Sequence, residues 1–520
     1  MWLQEHIYHQ RGELIMPQGI LSYQYEAEKR EAGLTALAGL PVYLDLARVL
    51  GLSESVQKYV RVREGTQGYT DAQMLTALVL LNLAGGDCVD DLRVLEGDEG
   101  FCRVLRRVEL QGRQGMKRRE RRALERRWRQ ERRRAVPSPS AAFRYLAAFH
   151  DEDQEKLRQA GKAFIPSPNE PLRGLAQVNR DLAAQVQCRS PQATATLDLD
   201  ATLVSTGKQE ALYGYKGFKA YQPLNVFWAE QELLLYTEFR DGNVPAGFEI
   251  LRVLQEALEM LPPGVKTVRL RSDTAGYQHE LLRYCECEMA KNPRFGRIEF
   301  AVGCDVTAAF KQAVAEVEES AWRPLPGNSE REWAEVCFVP NAIGHSKKGP
   351  EYRYLATREV LPQAELPGLG LEPILPFPTM NWNTKRYKVF GIVSNRACPG
   401  EELIPWFYQR CGKSEAAHSV MKEDLAGGKL PSGDFGVNAA WWWIMILALN
   451  LNAALKRLVL GGSWVAKRLK AVRFALINLA GRVLERSRTL IIRLPAGHPS
   501  LAVLLEARRR IAALAAGPGG

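Results

Sequence analysis

The pattern of apolar residues changes at Thr194, and this change constrains the fold more than any other feature of the sequence. The segment TATLDLDATLVS is β-branched and alternating, which is typical of a strand. Amphipathic helices and further strands then follow one another, from PAGFEILRVLQEALEMLPPG to VKTVRLRSDTAGYQHELLRYCECEM. Strands in a row, followed by strands that alternate with helices, predict an α/β fold with a mixed sheet.

Other regions are predicted on both sides of this core. Apolar residues at helical spacing, as in TDAQMLTALVLLNLAGG, predict an all-helical N-terminal region, and Ser140 is predicted to cap a short helix. The strand candidates EWAEVCFVP, EYRYLATREV and RYKVFGIVS predict a β-rich insertion. The predicted division is a helical region at 1–165, the first part of the core at 190–300, the insertion at 301–393, the second part of the core at 394–456 and a basic helical region at 457–520.

The most apolar stretch runs from Ala439 to Leu455 and contains two asparagines. It is short for a membrane span, so it predicts a buried core helix, with a span as the alternative. The first residues, MWLQEHIYHQRGELIMPQ, lack a basic start followed by an apolar run. Nine cysteines without paired CxxC spacing suit a reducing compartment. We therefore expect a cytoplasmic protein.

Positive charge is concentrated between Arg113 and Arg134, where twelve arginines and lysines face three glutamates. A packed core cannot accommodate this density, and the net charge of the chain is +11. The run predicts an arm that binds phosphates. A solvated helix face or a tether is the alternative.

Four acidic residues form a candidate site for phosphodiester chemistry. Asp198 and Asp200 are two apart on a predicted strand, and Asp273 follows the buried strand TVRLRS. Glu415 lies at the start of a later basic helix, seven residues before Lys422, so the two would share a helix face. Converging carboxylates can hold divalent cations that clamp the attacking and leaving oxygens. Taken singly, each residue is more typical of a turn, a cap or a surface ion pair.

At these residues the chain resembles bacterial insertion-sequence transposases with an Asp-Asp-Glu triad. Three blocks, all within 194–455, carry the resemblance: LDLDATLVSTGKQEALYGYKGFKAYQPL, RSDTAGY and YQRCGKSEAAHSVMKEDLAGGKLPSGDFG. The resemblance implies an RNase H-like core, two Mg²⁺ or Mn²⁺ ions, and hydrolytic nicking at the ends of a DNA element. It also implies joining of the freed 3′ hydroxyl to target DNA, and a dimer that holds two terminal inverted repeats.

The resemblance assigns the triad to Asp200, Asp273 and Glu415, both as catalytic residues and as metal ligands. Asp200 is followed by Ala and Thr202, which resembles the family's Asp-x-Thr pattern, and Asp198 is the alternative. The signature's other members correspond to residues expected to contact DNA: Tyr408, Arg410 and Lys422. The spacing from Tyr to Arg to Glu differs from the usual signature, whereas the spacing from Glu to Lys agrees with it.

Further DNA contacts are predicted outside the triad helix. Lys216 and Lys219 alternate with aromatics in YGYKGFKAY, which suits contact with backbone phosphates and stacking on bases. Half-buried strand aromatics are the alternative. Trp322 is better explained as a core residue than as a base-stacking one, and His418 as a packing or phosphate contact than as a metal ligand. In the basic run the predicted contacts are Arg118, Arg119, Arg121 and Arg122.

The sequence thus predicts a metal-dependent transposase with a helical region for end recognition and assembly. Two other functions stay open. One is a binding protein that has kept the fold and lost the chemistry, and the other is a nuclease that does not join strands. The arginine-rich arm favours the transposase, because hydrolysis alone needs less surface for positioning DNA.

Overall fold

The computed structural model describes residues 33–63, 68–111, 134–159, 161–287, 294–340, 352–361, 375, 377–382, 385–486 and 489–516. Except for Arg134, the basic run lies outside the described residues. The same holds for the contacts predicted within it: Arg118, Arg119, Arg121 and Arg122.

One short strand and eight helices make up the first described region: β1 (Leu34–Thr35), α1 (Pro41–Val49), α2 (Leu52–Tyr59), α3 (Asp71–Ala84), α4 (Leu92–Gly97), α5 (Glu99–Gln111), α6 (Pro139–Ala147), α7 (Glu152–Glu155) and α8 (Glu170–Arg189). Strand β1 corrects the prediction of an all-helical N-terminal region. It pairs with a strand near the C-terminus, and a partner so distant in sequence leaves no local periodicity to read.

Helix α3 begins and ends at the residues that the sequence predicts. The side chain of Thr70 accepts the N–H of Gln73, and the side chain of Gln73 accepts the N–H of Thr70, which together form a capping box. The helix ends at Gly85, whose φ of 103° lies in the left-handed region that favours glycine.

The cap of α6 differs from the predicted one. The Oγ of Ser138, and not that of Ser140, accepts the N–H of Ala141. Pro139 follows the cap, and a proline fits the first turn because the N–H that it lacks would have no partner there. The helix therefore begins two residues earlier than expected.

The main sheet and its helices occupy the middle of the chain: β2 (Thr194–Ala201), β3 (Val204–Ser205), β4 (Ala220–Tyr221), β5 (Leu224–Trp228), β6 (Leu233–Glu238), α9 (Ile250–Met260), β7 (Thr267–Ser272), α10 (His279–Cys287), β8 (Glu299–Cys304), α11 (Ala308–Ala315), β9 (Arg323–Leu325), β10 (Asn328–Val336), β11 (Arg353–Val360), β12 (Thr379–Trp382) and β13 (Lys385–Ser394). Strands β3 and β4 pair with each other outside this sheet.

The core strands have the order β6-β5-β2-β7-β8. Strand β5 pairs antiparallel with both β2 and β6, whereas β2, β7 and β8 run parallel. Along the chain, these core strands come in the order β2, β5, β6, β7 and β8. In the sheet they therefore lie in the order third, second, first, fourth and fifth, which is the RNase H-like arrangement. The predicted fold class is confirmed.

The β-rich segment after β8 continues the same sheet. The second half of strand β13 pairs antiparallel with β8, and its first half pairs antiparallel with β12. On the other side of β13 lie β11, β10 and β9, in that order. The sheet reaches ten strands in this way. The three strand candidates are confirmed as β10, β11 and β13.

The last described elements are α12 (Gly400–Ser419), α13 (Phe435–Ala454), α14 (Leu469–Val472), β14 (Gly481–Arg486), β15 (Thr489–Arg493) and α15 (Pro499–Ala516). The hairpin of β14 and β15 corrects the prediction that 457–520 is helical. Val483 alternates with more exposed neighbours on β14 and is fully buried, while β1 covers the other edge of that strand. Along β15 exposed and half-buried residues alternate, which is the side-chain period of a strand.

Helix α13 is a buried core helix, as predicted. The stretch Phe435–Leu460 is long and apolar enough to cross a membrane by length and composition, but every residue of α13 is buried in this structure. Its polar Asn450 is satisfied inside the protein, because its amide N–H groups donate to the Leu234 carbonyl and to Asn179 at 2.8 and 2.7 Å. The helix contacts α3, α8 and β6.

Candidate active site

Two carboxylates lie side by side at one edge of the core sheet. Leu199 of β2 is opposite Ser272 of the parallel strand β7. Asp200 directly follows Leu199, and Asp273 directly follows Ser272. Asp273 Oδ1 accepts the N–H of Ala275 at 3.0 Å, which fixes the side chain at the start of a short turn. Both acids are partly buried. The structure therefore brings these two predicted residues together.

The negative charge of Asp273 is disfavoured at this edge. Burial raises the pKa of its carboxyl, and the charge of Asp200 raises that pKa further, whereas Arg410 and hydrogen bonds lower it. Two partly desolvated carboxylates repel each other, and a cation between them would offset this repulsion. Oxygen donors are the ligands that Mg²⁺ and Mn²⁺ prefer. The donor set fits such an ion.

Asp198, the alternative first aspartate, has a different environment. It is fully buried, and its two oxygens accept from Nε and Nη2 of Arg271 at 2.5 and 2.8 Å. Arg271 Nη1 also donates to the carbonyl of Trp406 at 2.6 Å. The pair thus ties β2, β7 and α12 together. Because Arg271 engages both oxygens of Asp198, Asp200 is the aspartate of β2 that faces the site.

Helix α12 covers this edge and places two nitrogen-bearing side chains on Asp200. Arg410 Nη1 lies 3.3 Å from Asp200 Oδ2, and His418 Nδ1 lies 3.8 Å from the same oxygen. Both residues are buried. They are eight residues apart, which puts them about two turns apart on one side of the helix.

Glu415, the third predicted carboxylate, is exposed. It precedes His418 by three residues on α12, so the two side chains are neighbours on the helix surface. Within the described residues, the ligand atoms of Asp200, Asp273 and Glu415 do not all lie within 4.8 Å of one another. The structure therefore does not bring Glu415 together with the aspartate pair.

Lys422 lies beyond the end of α12. The α-helix ends at Ser419, and Val420–Asp424 forms a wider π turn, so the regular α-helical spacing that relates Glu415 to Lys422 does not extend to Lys422. The turn is held by Asp424, whose oxygens each accept from Arg468 Nε at 2.9 Å. Lys422 is half-buried and close enough to His418 to affect the pKa of that imidazole.

Tyr408 faces away from the aspartates. Its hydroxyl lies 3.3 Å from the Thr357 hydroxyl on β11, and its ring packs against Phe390 and under the Arg331 guanidinium. These residues line a small cavity of about 150 Å³ on the β-rich part of the sheet. The structure thus separates Tyr408 from Arg410, which faces Asp200.

The loop between β3 and β4 presents aromatic and basic side chains to solvent. Tyr213 and Tyr215 are 64% and 75% exposed, and Phe218 is 38% exposed. Lys216 and Lys219 lie 5.8 and 6.0 Å from the ring centres of Tyr215 and Tyr213. The alternative of half-buried strand aromatics is wrong for Tyr213 and Tyr215, whose rings are exposed, whereas Tyr221 of the same segment is a buried residue of β4.

Trp322 is a core residue, as the preferred interpretation predicts. Its side chain is 7% exposed. The guanidinium of Arg358 lies 4.2 Å from its ring centre, and the ring of Trp382 is 6.0 Å away. A buried ring with these neighbours offers no face to a nucleic-acid base.

One group among the described residues has three potential ligand atoms within 4.8 Å: Asp87, Cys88 and Asp91. Asp91 Oδ2 accepts the backbone N–H groups of Asp87 and Cys88 at 2.9 and 3.2 Å. Asp87 also pairs with Lys429. This group is explained as a turn held by its own hydrogen bonds.

Two residues of the site were missed by sequence reasoning. Arg271 lies two positions before Asp273, and Asn225 lies directly opposite Asp200 on β5. A charged or amide side chain within a predicted buried strand was the available signal, because such a group needs a partner there. The identity of the partner depends on strand register, which the sequence does not reveal.

Comparison with known proteins adds independent findings. A family model described as transposase DDE domain group 1 matches residues 24–516. No curated protein matches the chain. Among solved structures, a cryo-EM structure of the piggyBac transposase synaptic complex with hairpin DNA aligns with a TM-score of 0.40 and 10% sequence identity, over 92% of this chain and 80% of that chain.

Proposed function

Because the chain belongs to the group 1 family of transposase DDE domains, we propose that it is the transposase of an insertion sequence. It binds the terminal inverted repeats of its element, cuts the DNA ends by metal-dependent hydrolysis and joins the 3′ hydroxyl ends to target DNA. The observation that carries this proposal is the pair Asp200 and Asp273 on parallel neighbouring strands of an RNase H-like sheet. A homodimer on DNA and a cytoplasmic location belong to the same proposal.

The proposed ligands of two Mg²⁺ or Mn²⁺ ions are Asp200, Asp273 and Glu415. Bound there, the ions supply a water of lowered pKa and stabilise the charge that develops on the phosphate. Asp200 and Asp273 are held at their strand ends, and α12 carries Glu415, the proposed third ligand. No covalent intermediate on the protein is needed.

Basic residues near the carboxylates hold the DNA strand. Arg410 keeps Asp200 in place and offers its guanidinium to a phosphate, and the half-buried Lys422 adds a point charge beside the same edge. Tyr408 and the arm residues Arg118, Arg119, Arg121 and Arg122 are proposed to contact DNA further from the cut.

The exposed loop between β3 and β4 is proposed as a second DNA contact. Only the two-residue strand β3 separates it from β2, whose end carries Asp200. Lys216 and Lys219 supply positive charge, and the exposed rings of Tyr213 and Tyr215 supply stacking faces for unpaired bases. Charge and aromatic surface together suit a strand that is opened near the cut.

We expect the double variant Lys216→Ala/Lys219→Ala to bind element ends more weakly and with less salt dependence. Loss of two phosphate contacts should lower the slope of log affinity against log salt concentration by about two. Fluorescence anisotropy between low and moderate salt measures this slope. Lys266→Ala is the matched control, since this exposed lysine precedes β7 at the opposite end from Asp273. Equal slopes in the wild type and the double variant would contradict the contact.

Incubation of the protein with Mg²⁺ and a DNA fragment that carries the element's own ends tests the proposed function. We expect nicks at the ends and joined products in a target plasmid, and neither in the presence of a chelator. Cleavage without joining would indicate a nuclease. Binding without cleavage would indicate a binding protein that has kept the fold.

A further inference from the structure

A row of buried hydrogen bonds leads from the core helix to the candidate site. Trp442 Nε1 lies 3.1 Å from Thr237 Oγ1, and Thr237 Oγ1 lies 2.7 Å from Asn225 Oδ1. Asn225 Nδ2 lies 3.1 Å from His418 Nε2. The exposed fractions of Trp442, Thr237 and Asn225 are 1% or less, and that of His418 is 7%. The row therefore lies where water does not offer alternative partners.

The hydrogen bonds of the row run in one direction, from the indole of Trp442 toward His418. An indole N–H can only donate, so Thr237 Oγ1 accepts from Trp442. In the structure the hydroxyl of Thr237 donates to Asn225 Oδ1, and this contact sets which way the Asn225 amide points. Its NH₂ group must face His418, and an NH₂ group only donates. His418 Nε2 consequently accepts with its lone pair.

A neutral imidazole whose Nε2 accepts must carry its proton on Nδ1. Nδ1 is the atom that lies 3.8 Å from Asp200 Oδ2. Because Nε2 accepts from Asn225, it carries no proton, and the ring is neutral. The N–H of Nδ1 therefore faces the carboxylate of the first catalytic aspartate.

We propose that His418 is a positioning residue, held as the Nδ1–H tautomer by Asn225, Thr237 and Trp442 so that it orients the carboxylate of Asp200. The opposite tautomer would set an Nε2–H against the amide protons of Asn225 and a lone pair against Asp200. Leaving a buried donor facing a donor, or an acceptor facing an acceptor, is unfavourable, which favours the proposed tautomer. Arg410 holds the same oxygen through charge, so the two residues fix the carboxylate together.

The tautomer does not depend on the proposed function, whereas its effect on DNA cleavage rests on it. The row also differs from direct metal ligation, since Nε2 accepts from Asn225 and Nδ1 carries the proton. It assigns a role to Asn225, which is opposite Asp200 in the strand register. The row thus links the packing of α13 to the geometry of the site.

Nitrogen NMR of protein labelled with ¹⁵N-histidine tests the tautomer directly. We expect a neutral ring with a protonated Nδ1 for His418, assigned by the loss of its signals in His418→Gln. In Asn225→Asp the new side chain accepts and does not donate, so the proton should move to Nε2 or the ring should become charged. A wild-type ring with its proton on Nε2, or a charged ring near pH 7, would overturn the proposal.

Paired variants of Thr237 test the same row with little change of shape. Thr237→Ser keeps the hydroxyl and should keep the wild-type tautomer and Mn²⁺ affinity, whereas Thr237→Val removes the hydroxyl that orients Asn225. We expect Thr237→Val and Asn225→Asp to bind Mn²⁺ about 10–100-fold more weakly by calorimetry and to cut DNA more slowly by a similar factor. Circular dichroism checks that each variant folds.

The outcomes separate the two claims. If the tautomer and its response to Asn225→Asp are as expected but the wild type cuts no DNA, the proposed function fails while the hydrogen-bond row stands. If Thr237→Val has the tautomer, the Mn²⁺ affinity and the cleavage rate of Thr237→Ser, His418 does not position Asp200 and the inference is wrong.

Discussion

Asp273→Asn is expected to reduce single-turnover DNA cleavage by at least about a thousandfold, because metal ions supply several kcal/mol of transition-state stabilisation and each 1.4 kcal/mol is tenfold in rate. Asp200→Asn should have the same effect. The amide keeps the size of the side chain and removes the charge that holds a cation. Binding of the element's ends should persist, since the proposed DNA contacts are basic residues elsewhere.

The same variant should not destabilise the fold. Burial and the charge of Asp200 raise the pKa of Asp273 in the folded protein. Its ionised carboxylate therefore destabilises the folded protein at neutral pH, and this destabilisation decreases as the pH falls and the group is protonated. Removing the charge should leave the thermal unfolding midpoint equal to or above that of the wild type. Asp305→Asn, at an exposed acid that follows β8, is the matched control and should keep the activity. Full cleavage by Asp273→Asn would remove this residue from the site.

Arg271→Met is expected to destabilise the folded protein by about 3–5 kcal/mol, the usual effect of leaving one member of a buried ion pair without its partner. Asp198 would remain fully buried with neither of its two contacts from Arg271, and the bond from Arg271 to Trp406 would be lost as well. Thermal and urea unfolding of the full chain measure the change.

Two variants give this prediction its controls. Arg269 is on the same strand as Arg271 and forms a half-exposed ion pair with Glu299 of β8. Arg269→Met removes this pair, and exposed ion pairs contribute at most about 1 kcal/mol to stability. The double variant Arg271→Met/Asp198→Leu replaces the buried pair by apolar groups and should recover most of the lost stability. If Arg271→Met unfolds at the same temperature as Arg269→Met, the buried pair does not hold β2, β7 and α12 together.

Periodicity in the sequence predicts the elements whose partners are close along the chain. The alternating run at 194–201, the strand before Asp273 and the capped helix α3 each contain their own signal, because the signal is the side-chain period or the cap. The hairpin of β14 and β15 was missed for the opposite reason. Its runs are five and six residues long, and β1 pairs with it from the other end of the chain.

The site shows the same division between local and distant information. Strand ends predict that Asp200 and Asp273 lie together, since parallel neighbours end at one edge. The choice between Asp198 and Asp200 stays open in the sequence, and only the position of Arg271 across the strand pair shows why Asp198 is engaged elsewhere. The π turn at Val420–Asp424 likewise follows from the pairing of Asp424 with Arg468, which no helical pattern reveals.

The metal preference of cysteine variants tests most directly whether the aspartate pair holds the ions used in cleavage. A thiolate is a softer ligand than a carboxylate, and Mn²⁺ tolerates it better than Mg²⁺ does. We predict that Asp200→Cys and Asp273→Cys cut the element's ends with Mn²⁺ but not with Mg²⁺, while the wild type cuts with both. Cleavage at the wild-type rate with Mg²⁺ by either variant would contradict the account.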